Sequence, residues 1–174
     1  MEKDYPGANE RYDVVDEQDR VVGSALRREV HRDPSLTHRA VHVLVFRSDG
    51  RLLMQKRAAG KDVDPGKWDT SVGGHVDAGE DYLAAALRET REELGLSGLA
   101  LQHLHDFRYF SERETEQIRS YLVVYDGPVY PHRFEIAEAR EWTAPEIDRA
   151  MGTGVLTRNF EEEWRRYRER ERTR

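Results

Sequence analysis

The alternation of apolar and polar positions divides the chain into short strand-like runs and two amphipathic stretches. Residues 40–46 (AVHVLVF) are nearly continuous in apolar and β-branched side chains and predict a buried strand. Ser48-Asp49-Gly50 is a turn, and residues 51–57 (RLLMQKR) predict the returning strand of a hairpin. Within residues 11–30, Tyr12-Asp13-Val14-Val15, a polar turn over 16–19 and Val21-Val22-Gly23 read as an earlier hairpin. Residues 98–110 predict a further strand, and residues 118–125 (IRSYLVVY) another, with 111–117 (SERETEQ) as a polar turn or its extension. Gly127-Pro128 and Pro131 break the chain, and an acidic stretch over 134–142 carries Trp142 near its end. Thr143 caps a helix with Pro145 in its first turn, and residues 159–174 predict a charged helix in which Phe160, Trp164 and Tyr167 touch the body. Residues 1–10, polar and carrying Pro6 and Gly7, read as a flexible end, leaving residues 11–174 as a single domain without repeats.

One stretch organises the rest: Gly74 to Leu96, GHVDAGEDYLAAALRETREELGL, a loop running into an amphipathic helix. Glu89, Glu92 and Glu93 stand at i, i+3 and i+4, which puts three mutually repelling carboxylates on one helical face. Leu83, Leu87, Thr90 and Leu94 form the stripe expected to be buried. A solvated Glu/Arg lattice built with Arg88 and Arg91 is the plain alternative. It leaves unexplained the turn glycines Gly73, Gly74 and Gly79, and Glu80 placed ahead of Arg88. Oxygen-rich clusters beside such a loop hold hard divalent cations near phosphates.

Five residues separate Gly74 from Glu80, seven more lead to Arg88-Glu89, and Glu92-Glu93, Gly95 and Leu96 follow. This resembles the Nudix box, the signature of hydrolases acting on nucleoside diphosphates linked to another moiety and on related diphosphates. Thr90 stands where the pattern asks for an aliphatic residue; its methyl can fill the same slot. The resemblance implies an α/β fold, the family's α/β/α sandwich around a mixed β-sheet. It further implies Mg2+ (or Mn2+) held by Glu89, Glu92 and Glu93 with the backbone carbonyl of Gly74. Glu89 is then the base or water-orienting group, and Arg88 pairs with Glu80 to hold the loop against the helix. The partner implied is a small-molecule diphosphate, and homodimers are common in the family.

Within that superfamily the chain looks most like the branch of isopentenyl diphosphate isomerase. The similar features are Tyr12-Asp13-Val14-Val15-Asp16, His31 and His38 ahead of the first long strand, and the run Trp68 to His75. Those isomerases hold a catalytic cysteine where this chain has Gly73, which can neither deliver nor accept a proton. They also hold a metal with three histidines and two glutamates. His31, His38 and His75 match the first three. Glu112, Glu114 and Glu116 are candidate partners, although counting back from the apolar strand puts Thr115 and Gln117 at the expected positions. Two alternatives to a hydrolase follow: an isomerase-like enzyme, or a non-catalytic sensor of diphosphates.

Composition narrows the partners. Of 174 residues, 37% are hydrophobic and 36% charged, with a net charge of -6, which argues against general nucleic-acid or anionic-membrane binding. A phosphorylated ligand must then meet local cations: Lys56, Arg57 and Lys61 are the candidates, each of them equally at home on a solvated surface. The basic stretch Arg27, Arg28, His31, Arg32 and His38 reads either as solvated loop or as phosphate contact. Trp68, flanked by Pro65-Gly66, is expected to pin a loop rather than stack a base. There is no cysteine, so disulfides, thiolate metal sites and a cysteine nucleophile are excluded. No apolar run is long enough to span a bilayer, which makes the cytoplasm the default location. The identity of the group attached to the diphosphate is left open.

Overall fold

The structure, a computed structural model, describes residues 9–61 and 63–173. The expected N-terminal end therefore lies mostly outside the described residues. Strands β1 (Arg11–Val15) and β2 (Val21–Leu26) form the first hairpin, closed by a short helix α1 (Arg27–Val30). Strand β3 (His38–Phe46) is the centre of the sheet. Along one side it runs parallel to β8 (Thr115–Val124) over its full length, and β8 carries β7 (Gln102–Phe110) antiparallel on its outer edge. Elsewhere β3 pairs with β1 at Val14–His38, with β6 (Val72–His75) in the middle, and with β4 (Leu52–Arg57) only at Phe46–Leu52. The expected β3–β4 hairpin thus holds at one residue pair and then opens. Beyond it, β4 pairs with β5 (Trp68–Asp69) and β9 (Ile136–Trp142).

Helices cover both faces. Val41, Val43 and Val45 of β3 join Val72, Tyr121 and Val123 in a core closed by Tyr82, Ala85, Ala86 and Leu94 of helix α2 (Tyr82–Leu94). Leu44 and Phe46, offset by one residue, face a second core with Trp68, Trp142, Ile147, Phe160 and Trp164, supplied in part by α3 (Ala144–Ala150) and α4 (Arg158–Arg172). This is the α/β/α sandwich around a mixed sheet, and it explains why residues 40–46 read as continuously apolar: both faces are buried. Thr143 caps α3 in a reciprocal arrangement with Glu146, as its spacing predicts. Trp68 is buried against Trp142 with ring centroids 5.2 Å apart, in keeping with a loop anchor.

The buried stripe of α2 departs from expectation. Leu83 and Leu87 are 43% and 36% exposed, while Tyr82, Ala85, Ala86, Thr90 and Leu94 face the sheet. The small Ala85 and Ala86 let the helix approach β6 closely, which rotates the leucines one position out of the interface. Thr90 is buried in the aliphatic slot and returns its hydroxyl to the Ala86 carbonyl at 2.6 Å, so no donor is stranded.

Candidate active site

Helix α2 is fixed at both ends. The Asp81 side chain accepts from the Leu83 and Ala84 amides, each at 3.0 Å, and Gly95 closes the helix in the left-handed region at φ 69°. Glu93 points from its buried face into the gap between β4 and β6: its Oε2 accepts from Gln55 Nε2 at 2.9 Å and from the Gly73 amide at 3.3 Å. Glu89 lies one turn earlier beneath Gly74, so close that a Cβ at Gly74 would overlap its carboxylate. Glu92 sits at the rim, its side chain half exposed. Arg88 ties the assembly together: it donates to Glu80 at 3.0 and 2.8 Å, to the His75 carbonyl at 3.0 Å, to Glu89 at 2.7 Å and to Glu92 at 3.4 Å.

Burial pushes the Glu89 carboxyl up to about 7, against the opposing pull of Arg88. Burial together with the charge of Glu89 pushes Glu93 up to about 8. Two carboxylates that repel in a water-poor cleft are the donor set a hard divalent cation relieves.

On the far side of β6, His31, His38, His75 and Glu114 bring one ligand atom each within 4.8 Å of one another. His31 arrives as the C-cap of α1, and His38 and His75 as the first residue of β3 and the last of β6. His31 Nε2 lies 3.2 Å from His75 Nε2 and 3.3 Å from Glu114, and Glu116 lies 3.8 Å from His75 and 4.0 Å from His38. Tyr12 stacks on His75 at 4.7 Å between centroids and closes the cluster from β1. Burial drives His38 down to about 3 and His75 well below the ordinary histidine range, so these two rings are neutral. Burial and Glu114 push Glu116 up to about 8. Neither ring nitrogen of His38 has a hydrogen-bond partner among the described residues. Neutral imidazoles beside buried carboxylates are donors for a divalent transition metal.

Of the three candidate glutamates, Glu114 and Glu116 are buried at this cluster and Glu112 is exposed. The Thr115/Gln117 register is therefore corrected: His38 pairs directly with Glu116. Both faces of β8 are covered, so its apolar residues could not decide which parity faced the histidines. Thr115 is buried for another reason, donating to the Pro34 carbonyl at 2.7 Å.

Among the candidate phosphate contacts, Arg57 is engaged with Asp69 at 3.3 Å and Lys61 with Glu135 at 2.5 Å, and Lys56 is half buried on β4. Lys61 and Glu135 both act electrostatically on Glu93. Gln55, Asp69, Glu135, His42 and Glu163 were not marked by any spacing in the sequence. The sheet opening brings Gln55 and Glu135 to the site from separate segments.

A mixed sheet between helices, split over a carboxylate-bearing helix that packs beneath a glycine, defines the Nudix class. The NUDIX domain family matches residues 36–155, and the chain belongs to the Nudix hydrolase family. It is 39% identical over 133 residues to a Nudix hydrolase of Pseudomonas aeruginosa, covering 76% of this chain and 78% of that protein. It is 36% identical over 143 residues to a protein named isopentenyl-diphosphate Delta-isomerase from Streptomyces avermitilis, covering 78% and 72%. A match at 42% identity to a Nudix hydrolase of Yersinia pestis spans 58% of this chain and 54% of that protein's length. A crystal structure from Deinococcus radiodurans superposes with a TM-score of 0.78 at 29% identity, covering 90% of this chain and 98% of that one. Among the described residues no helix is long and apolar enough to cross a membrane.

Proposed function

We propose that the protein is a divalent-metal-dependent pyrophosphohydrolase that cleaves a diphosphate bond in a nucleoside diphosphate-linked or related small molecule. The observation that carries this reading is the pair Glu89 and Glu93, buried, mutually repelling and fixed by Arg88, Gln55 and the Gly73 amide. The donor set fits the expected cation: Glu89 and Glu93, with Glu92 at the rim and the Gly74 carbonyl beside them. When bound, Mg2+ or Mn2+ supplies positive charge against the diphosphate oxygens and acidifies a water at phosphorus.

The chain's own residues do the rest. Glu89 takes the proton as water attacks phosphorus and the bridging P–O bond breaks, its electron pair leaving with the departing phosphate group. Arg88 is a positioning residue, holding Glu89 and the Glu80 loop in register. Lys61, which acts electrostatically on Glu93, and Arg57 are the candidate cations for the phosphates, whereas Lys56 follows Gln55 along β4 and is turned to the opposite face. The histidine cluster with Glu114 and Glu116 is a second metal centre for a transition-metal ion, and it supports an isomerase-like ancestry. Gly73 leaves no side chain for proton transfer there, which favours hydrolysis over isomerisation.

The test is phosphate or nucleotide release from a diphosphate panel that includes isopentenyl diphosphate, with Mg2+ and with EDTA, for wild type and Glu93→Gln. Metal-dependent cleavage lost in the variant is expected. Absence of cleavage, with a panel member raising the melting temperature equally in both proteins, would replace the hydrolase by a sensor.

A further inference from the structure

Two segments outside α2 meet beside its last turn. In the connection from β8 to β9 the amides of Tyr130 and His132 donate to the carbonyls of Leu94 and Glu93 at 2.9 and 2.8 Å, which ties this stretch to the helix next to Glu93. The Glu135 amide donates back to the His132 carbonyl at 3.0 Å, and the Glu135 carbonyl accepts from the Ala58 amide at 2.9 Å. That last bond brings in the loop after β4, where the Lys61 amide donates to the Ala58 carbonyl at 3.1 Å. The outcome is an ion pair, Lys61 Nζ to Glu135 Oε2 at 2.5 Å, with the backbone fixed on both sides. It stands within electrostatic reach of the α2 carboxylates: Glu135 acts on Glu89 and Glu93, and Lys61 acts on Glu93.

The two cations at this site are held very differently. Arg88 is locked by Glu80, Glu89, Glu92 and the His75 carbonyl together. Among the described residues the Lys61 ammonium has Glu135 as its one ion-pair partner, and it rides on a flexible four-carbon stem. Lys61 is therefore the cation that can leave. Glu135 keeps 42% of its side chain exposed, open to an incoming ion. The buried pair on the other face of the sheet, His42 Nδ1 and Glu163 Oε2 at 2.8 Å, is 4% and 0% exposed and leaves an ion no approach. Carboxylates crowded as Glu89, Glu93 and Glu135 are need counter-charge at all times. One ammonium on one oxygen supplies it weakly, and a divalent cation shared among several oxygens supplies it better.

We propose that Glu135 is a further metal-ligating carboxylate of the α2 site and that Lys61 is its exchangeable counter-ion: Lys61 neutralises Glu135 until Glu89, Glu93 and Glu135 hold a divalent cation, and then turns its ammonium to the diphosphate oxygens. The inference rests on the hydrolase reading and adds one ligand and one moving charge to that same site. Because Lys61 competes with the cation for Glu135, its charge opposes metal binding and favours diphosphate binding. A residue that merely fastened two loops would favour both. The exchange also keeps the diphosphate from meeting an uncompensated carboxylate, since each negative group gains a cation as the other releases one.

The experiment is calorimetric titration of wild type, Lys61→Met, Lys61→Arg and Glu135→Gln, first with Mg2+ alone and then with imidodiphosphate at saturating Mg2+. Lys61→Met should bind Mg2+ about fivefold more tightly than wild type, because nothing competes for Glu135. The same variant should bind imidodiphosphate about tenfold more weakly. Glu135→Gln should weaken Mg2+ binding by about tenfold, and Lys61→Arg, which keeps the charge, should stay near wild type in both titrations. Mg2+ affinity that falls in Lys61→Met and Glu135→Gln alike would make the pair a fastening of two loops and overturn the proposal. Mg2+ affinity unchanged in either variant, or no Mg2+ binding to wild type, rejects it as well. Turnover on the diphosphate panel is read separately. Opposite shifts in Mg2+ and imidodiphosphate affinity in a protein that cleaves nothing would keep the exchange and remove the hydrolase reading; cleavage without those shifts would do the reverse.

Discussion

The carboxylate site and the histidine cluster meet across β6, four residues long, yet they are built in opposite ways. Gly74 turns toward α2, where Glu89 and Glu93 come from one helix; His75 turns the other way, toward His31 at the end of α1, His38 of β3 and Glu116 of β8. The helix site is a set of like charges held apart by one arginine, and suits an exchangeable hard cation. The cluster sets the neutral rings of His38 and His75, with His31, beside two buried carboxyl groups, and suits a more tightly held transition metal. The difference teaches that chemistry concentrated in one helix tolerates a loose sheet around it, whereas chemistry drawn from distant strands depends on the sheet's register.

The comparison can be broken most forcefully at Glu93. Glu93→Gln should lower diphosphate turnover by about 1,000-fold while leaving Co2+ binding at the histidine cluster unchanged, as followed by visible absorption. If both properties disappear together, the two regions are one centre. His38→Ala should do the converse to the Co2+ spectrum.

The adjacent glycines offer the next contrast. Gly74→Ala drives a methyl into the Glu89 carboxylate and should reduce turnover by about 100-fold, whereas Gly73→Ala meets only ordinary contacts and should change it less than about threefold. Steady-state rates on one substrate decide this. Arg88→Ala releases Glu80, Glu89 and the His75 carbonyl at once, and should weaken Mg2+ affinity by about tenfold without removing a ligand; calorimetric titration checks it.

The smallest effect concerns pH. His42 stands at about 9 in the folded protein against its ordinary 6.5, so its pairing contributes fully below about 6.5 and is lost as pH rises through about 9. Glu163 is held low by His42 and Ser120 although burial opposes this, so its contribution is lost only in acid. The melting temperature of wild type should therefore fall from about pH 7 to pH 9 by a few degrees more than that of His42→Phe/Glu163→Leu. Parallel curves for the two proteins would show that the pair carries no net charge coupling.

The α2 site was legible because its parts lie within one contiguous stretch. Helical periodicity places Glu89 and Glu93 a turn apart whatever surrounds them, and the same local rule gives Asp81 and Gly95 their capping positions. The nearly continuous apolar run of β3 and the Thr143 cap were legible for the same reason. The face of α2 that is buried was not, because Ala85 and Ala86, weaker than leucine on any hydrophobicity scale, are what the sheet accepts at close range. Nor was the parity of β8, whose two buried faces erase the alternation that would have assigned Glu114 and Glu116. The elements and the carboxylate helix follow from interactions between residues a few positions apart, which is why the linear order of residues was enough to place them. Long-range packing sets the rest: β4 leaves β3 after one residue pair, His31, His38 and His75 converge, and Glu163 reaches across 121 positions to His42. Such contacts depend on how sheets and helices pack, and packing energy is shared among residues that carry no local signal of one another.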